Sequence, residues 1–393
     1  MVKKLVRKIH LWLGLSSGLI VVFLGITGCI LAFQREIESV TQTYAYVEPR
    51  QKEFLPPSAL GRIAQAQLPD KLLHSVTYGE KGEAAKVTFY QYLPEEYYYI
   101  VYVNPYSGEV LKVKDMAKDF FRIVINGHYY LWLPPHIGQP IVSTATLIFV
   151  IMMITGIILW WPRNKAARKQ RFTIRWNARW RRVNYDLHNV FGFYMTWVAI
   201  FIALTGLVFG FQWFARTVYW TASGGEQMTE FYEPVGKQAI AADIPAIDRV
   251  YELMKAEYAN AETIEVHYPH DDSMAIGAGA NPDAGTYWKI DYRYFDQQTL
   301  EEIDVNHIYG RFETASVADK IMRMNYDLHV GAIGGITTKI IAFFASLIAA
   351  SLPVTGFYIW WGRRKKNKIA KKQQQLPAGI AVRESLQVEM INS

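Results

Sequence analysis

Four stretches of the chain stay apolar for long enough to cross a bilayer as helix, which takes roughly 20 residues. They are Leu11–Phe33, about Ile141–Trp161, about Val190–Phe214 and about Ile336–Trp361. None contains an acidic residue, and the one basic residue, Lys339, stands near an end where its stem can snorkel. The intervening stretches alternate differently. In the first, Pro57–Gln67 has helical spacing, and Val/Tyr-rich strands are predicted near 73–78, 85–91 and 97–103. Asn104-Pro105-Tyr106-Ser107-Gly108 reads as a turn before a further strand at Glu109-Val110-Leu111. In the second, Ile244–Tyr258 is an amphipathic helix, followed by strands near 262–268, 273–277 and 286–293. The pattern predicts a membrane α-helical protein, a four-span bundle carrying two α+β modules. The spans fall in 1–33, 139–161, 188–214 and 329–361, and the modules in 34–138 and 215–328. A loop, 162–187, and a tail, 362–393, complete the chain. Each module has about 100 residues, enough for a small core of its own.

Charge orients the spans. Segments 1–9, 162–184 and 362–393 hold 21 of the 42 Lys and Arg residues and only two acids, Glu384 and Glu389. Segment 34–138 holds 11 basic and 12 acidic residues, and segment 215–335 holds 9 and 20. By the positive-inside rule the basic segments stay in the cytoplasm, both termini included, and the acidic modules cross. The expected location is a bacterial inner membrane. The net charge of +7 follows from this topology, and nucleic-acid binding is not needed to explain it. Ile26-Thr27-Gly28-Cys29 resembles a lipobox, but the apolar run continues past it, and the residues are read as part of a span.

Composition narrows the chemistry. Of 393 residues 51 % are apolar and 20 % charged, which excludes a disordered chain and a collagen. The 12 Trp, 25 Tyr and 20 Phe suit interfacial aromatic belts. A single cysteine, Cys29, excludes an internal disulfide, a Cys-ligated zinc or iron–sulfur centre, and haem attached through C-x-x-C-H.

The chain repeats itself. His10, Gly14, Thr27-Gly28 and Phe33-Gln34 recur as His188, Gly192, Thr205-Gly206 and Phe211-Gln212, at a constant offset of 178. Thr155-Gly156 with Trp160-Trp161 recurs as Thr355-Gly356 with Trp360-Trp361, at an offset of 200. Two parallel repeats of span, module and span are implied.

Four of the nine histidines stand at span ends: His10 and His188 at the cytoplasmic mouths of the first and third spans, His329 at the outer mouth of the fourth, and His128 in the amphipathic stretch Phe120–Leu133 before the second. The pentapeptide Asn-Tyr-Asp-Leu-His ends at both His188 and His329. Ionisable residues at membrane depth mark function, and facing imidazoles in a helical bundle can grip the iron of a macrocycle. The economical reading is two non-covalent haems b, one between His10 and His188 and one between His128 and His329. Gly14 and Gly192, one turn from their histidines, would let a flat ring approach the backbone. Gly331, Gly334 and Gly335 could do the same at the outer site, or simply form a loop. His136, after Pro134-Pro135, rivals His128. Spacing favours His128, which precedes Thr155 by 27 residues where His329 precedes Thr355 by 26. Asp186 and Asp327 would cap a helix or orient the imidazole N–H. His267-Tyr-Pro-His270-Asp-Asp reads as a solvated turn.

The His-x3-Gly of the first span, the Asp-Leu-His opening the third and fourth, and the Thr-Gly…Trp-Trp ending the second and fourth together resemble the PepSY-associated transmembrane family. The Asn104–Val110 turn is similar to the strand–turn of PepSY modules, so the resemblance makes both modules PepSY-like. It extends to about residue 366, with the membrane motifs fairly specific and residues 215–320 matching weakly. Some members are inner-membrane haem proteins that reduce ferric siderophores in the periplasm. The resemblance therefore implies haem ligation at His10, His128, His188 and His329. One departure is Asn126-Gly127 before His128, where a Leu-His start is expected. The expected function is a transmembrane di-haem ferric-siderophore reductase. Its acceptor would be a ferric siderophore or another iron complex in the periplasm. Without a G-x-G-x-x-G fingerprint for a nucleotide, its donor would be a quinol or a cytoplasmic protein, which the basic loop could dock. The alternatives are a permease for iron complexes or other small solutes, and a non-catalytic membrane protein whose PepSY modules bind a periplasmic partner.

Overall fold

A computed structural model of the chain describes residues 2–374 apart from 94, 163 and 238–242, and apart from the side chains of 166, 167, 169 and 365–374. Arg163 and the end of the basic tail lie outside the described residues. In chain order α1 (Val2–Ala32) is followed by α2 (Gln34–Thr41) and α3 (Pro57–Gln65). Strands β1 (Leu73–Tyr78), β2 (Ala85–Gln91), β3 (Tyr97–Val103) and β4 (Val110–Asp115) come next. Then come α4 (Phe120–Tyr130), α5 (Pro135–Trp160), α6 (Lys165–Arg171), α7 (Trp180–Gly210), α8 (Gln212–Ser223) and α9 (Ala246–Glu257). Strands β5 (Thr263–His267), β6 (Ile276–Asn281) and β7 (Asp291–Phe295) lead to α10 (Val317–His329) and α11 (Gly335–Gln374).

Among the described residues four helical segments are long and apolar enough to cross a membrane: Val2–Ala32, Pro135–Trp160, Trp180–Gly210 and Ala332–Arg364. The helices outrun the apolar stretches. Helix α1 starts at Val2 and α7 at Trp180, so His10 and His188 lie two turns inside their helices. Lys and Arg are good helix formers, so a change from apolar to basic does not end a helix.

By its internal contacts the chain divides into two compact units. One comprises Met1–Ile26, Ala145–Ile200 and Phe344–Ser393, and the other Thr27–Thr144 and Phe201–Phe343. In the second unit the two modules do not build separate cores. Their strands form one antiparallel sheet in the order β4-β3-β2-β1-β5-β6-β7. Strand β1 pairs with β5 through Val76 opposite Val266 and Tyr78 opposite Ile264. Helices α3 and α9 contribute Leu60, Ala64, Val250 and Met254 to the same core as Val87, Phe89, Val101 and Phe295. Ser58 joins the two helices by donating from its N–H and hydroxyl to the Asp248 carboxylate, at 2.8 and 2.6 Å. The reason is economy of edges: a short meander with one helix exposes an unpaired strand, and pairing β1 with β5 removes two such edges at once.

Strands β6 and β7 lie later than the pattern predicted. The run Ile276-Gly-Ala-Gly-Ala-Asn281 is poor in β-branched residues, and pairing with a strand on each side makes it a strand. Residues before Asp291 form a loop, held where the Asn281 side chain donates to the Thr286 carbonyl at 2.8 Å.

A bulge between Leu73 and Ser75 in β1 re-aims His74. Its ring lies 5.1 Å from that of His267 and 6.3 Å from that of His270, centre to centre. Burial, helped by His267, lowers the His74 imidazole to about 4. Its folded value is depressed, so the unfolded chain takes up the proton first on acidification. Stability should therefore fall as pH drops from about 6.5 to about 4. Thermal unfolding across this range should show the slope, and His74→Gln should flatten it.

Candidate functional site

The first unit brings His10, on α1, and His188, on α7, to one cavity of about 610 Å³. Gly14, Gly192, Met152 and Trp160 also line it. Each imidazole is held from a different helix. His10 Nδ1 lies 2.9 Å from Thr155 Oγ1 on α5, and His188 Nδ1 lies 2.9 Å from Thr355 Oγ1 on α11. Both threonines give their proton to their own helix, Thr155 to the Ile151 carbonyl at 2.9 Å and Thr355 to the Ser351 carbonyl at 3.0 Å. A hydroxyl so engaged offers a lone pair, so Nδ1 carries the imidazole proton and Nε2 is left as a ligand nitrogen. The glycine after each threonine seats the ring. A side chain at Gly156 would meet His10 Cε1 at 3.6 Å, and one at Gly356 would meet His188 Cε1 at 3.2 Å.

The second unit repeats the arrangement. His128 Nδ1 lies 2.8 Å from Thr27 Oγ1, and His329 Nδ1 lies 3.0 Å from Thr205 Oγ1. Thr205 donates to the Phe201 carbonyl at 2.9 Å. His329 Nδ1 is also 3.0 Å from the Ile202 carbonyl, which can only accept. The His128 and His329 rings face each other at 6.2 Å between centres, 70° apart in plane.

Local sequence explains how the second pair is placed. Helix α10 opens with a reciprocal cap between Ser316 and Asp319, and Arg323 ties it down by donating to the Ile308, Ile290 and Gly310 carbonyls. Helix α4 opens on Asp119, whose carboxylate accepts from Arg122 N–H at 2.9 Å. It ends on Leu131 and Trp132, both at positive φ. The Trp132 ring occupies the space a side chain at residue 127 would need. That accounts for Gly127 where a leucine was expected.

The pentapeptide Asn-Tyr-Asp-Leu-His works as one docking unit. Its asparagines, Asn184 and Asn325, donate to the backbone carbonyls of Thr355 and Thr205, at 3.0 and 3.2 Å, while its histidines reach the hydroxyls of the same threonines. His10 and His128 follow Val6 and Val124 at the equivalent position and lack this second tie. Sequence reasoning used the Thr-Gly steps only to align the repeats and missed both roles. The recurrence of Asn four residues before His was the available signal.

A sequence model described as the PepSY-associated TM region matches residues 7–363. The chain belongs to that family. No curated protein matches it. The four spanning segments and the family make it a multi-pass membrane protein.

Several expectations for this PepSY-associated chain change. Among the described residues Asp186 and Asp327 take partners other than a helix N-terminus or an imidazole. Asp186 accepts from Arg182 at 2.9 Å, and Asp327 accepts from the N–H groups of Tyr287 and Trp288 at 3.0 and 2.9 Å. His136 is exposed near the start of α5, whereas His128 and His329 are half-buried. Gly331 and Gly335, at positive φ, make the turn between α10 and α11, and Gly334 packs on Thr338. Lys339 does not snorkel: it is buried and donates to Glu36 at 2.7 Å. Cys29 is buried within α1, its thiol 3.4 Å from the Phe343 carbonyl. His267 ends β5 beside His74, while His270, Asp271 and Asp272 form the exposed turn that was expected.

The residues fit a haem at each pair. A ring nitrogen bonds a first-row metal at roughly 2.0–2.1 Å, which puts two imidazole centres on opposite sides of one metal about 6.4 Å apart. The observed 6.2 Å agrees. In the first cavity Trp160 Nε1 is buried with no hydrogen-bond partner among the described residues, and Arg7, Arg171 and Arg363 line the same space. Those groups suit the carboxylates of a porphyrin, and the cavity volume lies in the usual range for small-molecule sites.

Proposed function

We propose that this chain carries electrons across the membrane to a ferric siderophore or another ferric complex in the periplasm. It would hold two haems b, one between His10 and His188 and one between His128 and His329. Haem, when bound, supplies reversible one-electron chemistry at iron. What supports the reading is the fourfold use of one device: a half-buried histidine whose Nδ1 lies against a threonine hydroxyl on another helix, arranged as two pairs.

Each pair would supply two imidazole nitrogens to the iron of a haem. Gly14 and Gly192 leave the cavity wall low enough for a flat ring. Arg7, Arg171 and Arg363 would hold its carboxylates, and Trp160 Nε1 would donate to one of them. With two protein nitrogens committed to it, the iron of each haem would offer water no position, so the sites would favour electron transfer over ligand exchange. Ferrous iron is a poorer partner than ferric iron for hard oxygen ligands, so reduction loosens a siderophore's grip. The donor on the cytoplasmic side would be a quinol or a protein.

The test is an absorption spectrum of the purified protein, oxidised and reduced with dithionite. Low-spin six-coordinate bands with about two haems per chain are expected. A colourless preparation from cells well supplied with haem would overturn the proposal. Delivery of electrons is then read with the protein in liposomes, a reductant on one side and a ferric siderophore with a ferrous chelator on the other.

A further inference from the structure

We infer that Thr27, Thr155, Thr205 and Thr355 are positioning residues that decide which nitrogen of each histidine meets the metal and how its ring is turned. The inference rests on the haem reading and goes beyond it, since that reading needs only the histidines.

The geometry is repeated four times. Each histidine Nδ1 lies 2.8–3.0 Å from a threonine hydroxyl on another helix. For Thr155, Thr205 and Thr355 the hydroxyl proton is committed to a carbonyl four residues back, at 2.9, 2.9 and 3.0 Å. The reverse arrangement, with the hydroxyl donating to Nδ1, would leave two oxygen lone pairs facing each other at that distance. The threonine therefore acts as an acceptor only. Three of the histidines also face the carbonyl three residues before their threonine: His10 at Met152, His188 at Leu352 and His329 at Ile202. A carbonyl has no proton to give, so both neighbours specify the same tautomer.

Two consequences follow. A hydroxyl accepts less strongly than a carboxylate, so it withdraws the Nδ1 proton less and leaves the imidazole less basic than a carboxylate partner would. The threonine also sets the plane of each ring, and with it the 70° between His128 and His329. Within each pair the latching is unequal. His188 and His329 have the additional tie through Asn184 and Asn325, whereas His10 and His128 depend on their threonines without it. Loss of Thr155 or Thr27 should therefore be felt more than loss of Thr355 or Thr205.

The experiment uses the full-length protein loaded with haem, with Thr155→Val, Thr355→Val and Thr155→Ser compared to the parent. Valine keeps the shape and removes the acceptor, and serine restores it. Thr155→Val is expected to weaken haem binding at its site 10- to 100-fold. It should also move that site's midpoint potential in the positive direction and alter the paramagnetic-resonance signal, which reports the angle between the two imidazole planes. Thr355→Val should do the same to a smaller extent, and Thr155→Ser should return all three readouts to the parental values. Parental affinity, potential and signal in both valine variants would overturn the inference while leaving the haem reading intact. So would a serine variant that behaves like the valine one, because the hydroxyl would then not be what matters. A parent protein that binds no haem would instead remove the reading on which the inference rests.

Discussion

His188→Ala should lower the haem content from about two per chain to about one, with the remaining absorption belonging to the His128–His329 site. The imidazole of His188 is held by its own threonine, with its ring against Gly356, and it shares one cavity with His10. Alanine leaves that cavity with a single nitrogen ligand, and a non-covalent haem has no thioether to retain it. Changing a group behind a metal ligand costs 10- to 100-fold in affinity, so removing the ligand itself should exceed about 100-fold. The site around His128 and His329 uses other residues throughout and should keep its spectrum. Ferric reduction across a liposome membrane should drop to background, because a carrier with one centre missing cannot complete the transfer. Retention of both haems, or loss of both, would sink the pairing of His188 with His10.

Asp327→Ala should cost the protein about 1–3 kcal/mol and loosen the His329 site while sparing the His10–His188 site. Asp327 is fully buried two residues before His329, and its carboxylate is the acceptor for two backbone N–H groups in the loop before β7. Leaving a donor unpaired away from water costs about 1–3 kcal/mol; water can replace the acceptor at the exposed Tyr287, so one such loss is expected, at the half-buried Trp288. The loop and α10 are thereby tied together, so their separation should reach His329 one half-turn on. Asp327→Asn keeps one good acceptor and should recover part of the loss. Denaturant unfolding in detergent, with haem retention at each site measured in parallel, checks both statements. Unfolding of Asp327→Ala at the parental midpoint would show that the loop is held by something else.

Much of this organisation is carried by short-range pattern. The four spanning helices follow from apolar runs too long for anything else, and α3, β1, β2, β3 and α9 follow from periodicity within a residue or two. The four histidines stand out because charge-bearing or ligating groups at membrane depth are costly without a purpose. The repeat at offset 178 already relates His10 to His188 and Thr27 to Thr205. What the chain order alone did not determine was partnership. Thr155 lies 145 residues from His10, Thr27 lies 101 from His128, and Thr205 lies 124 from His329, so no local window contains any of these three pairs. Asp186 and Asp327, adjacent to their histidines in sequence, point elsewhere because residues two apart on a helix face different sides. The two modules likewise read as separate because their strands lie far apart in the chain. The pairing of β1 with β5 was decided by the need to satisfy exposed strand edges, a condition that exists only once both meanders have formed. Periodicity and charge report what each segment wants from its solvent. Which side chain answers which histidine depends on how the helices pack, and that is a property of the folded chain.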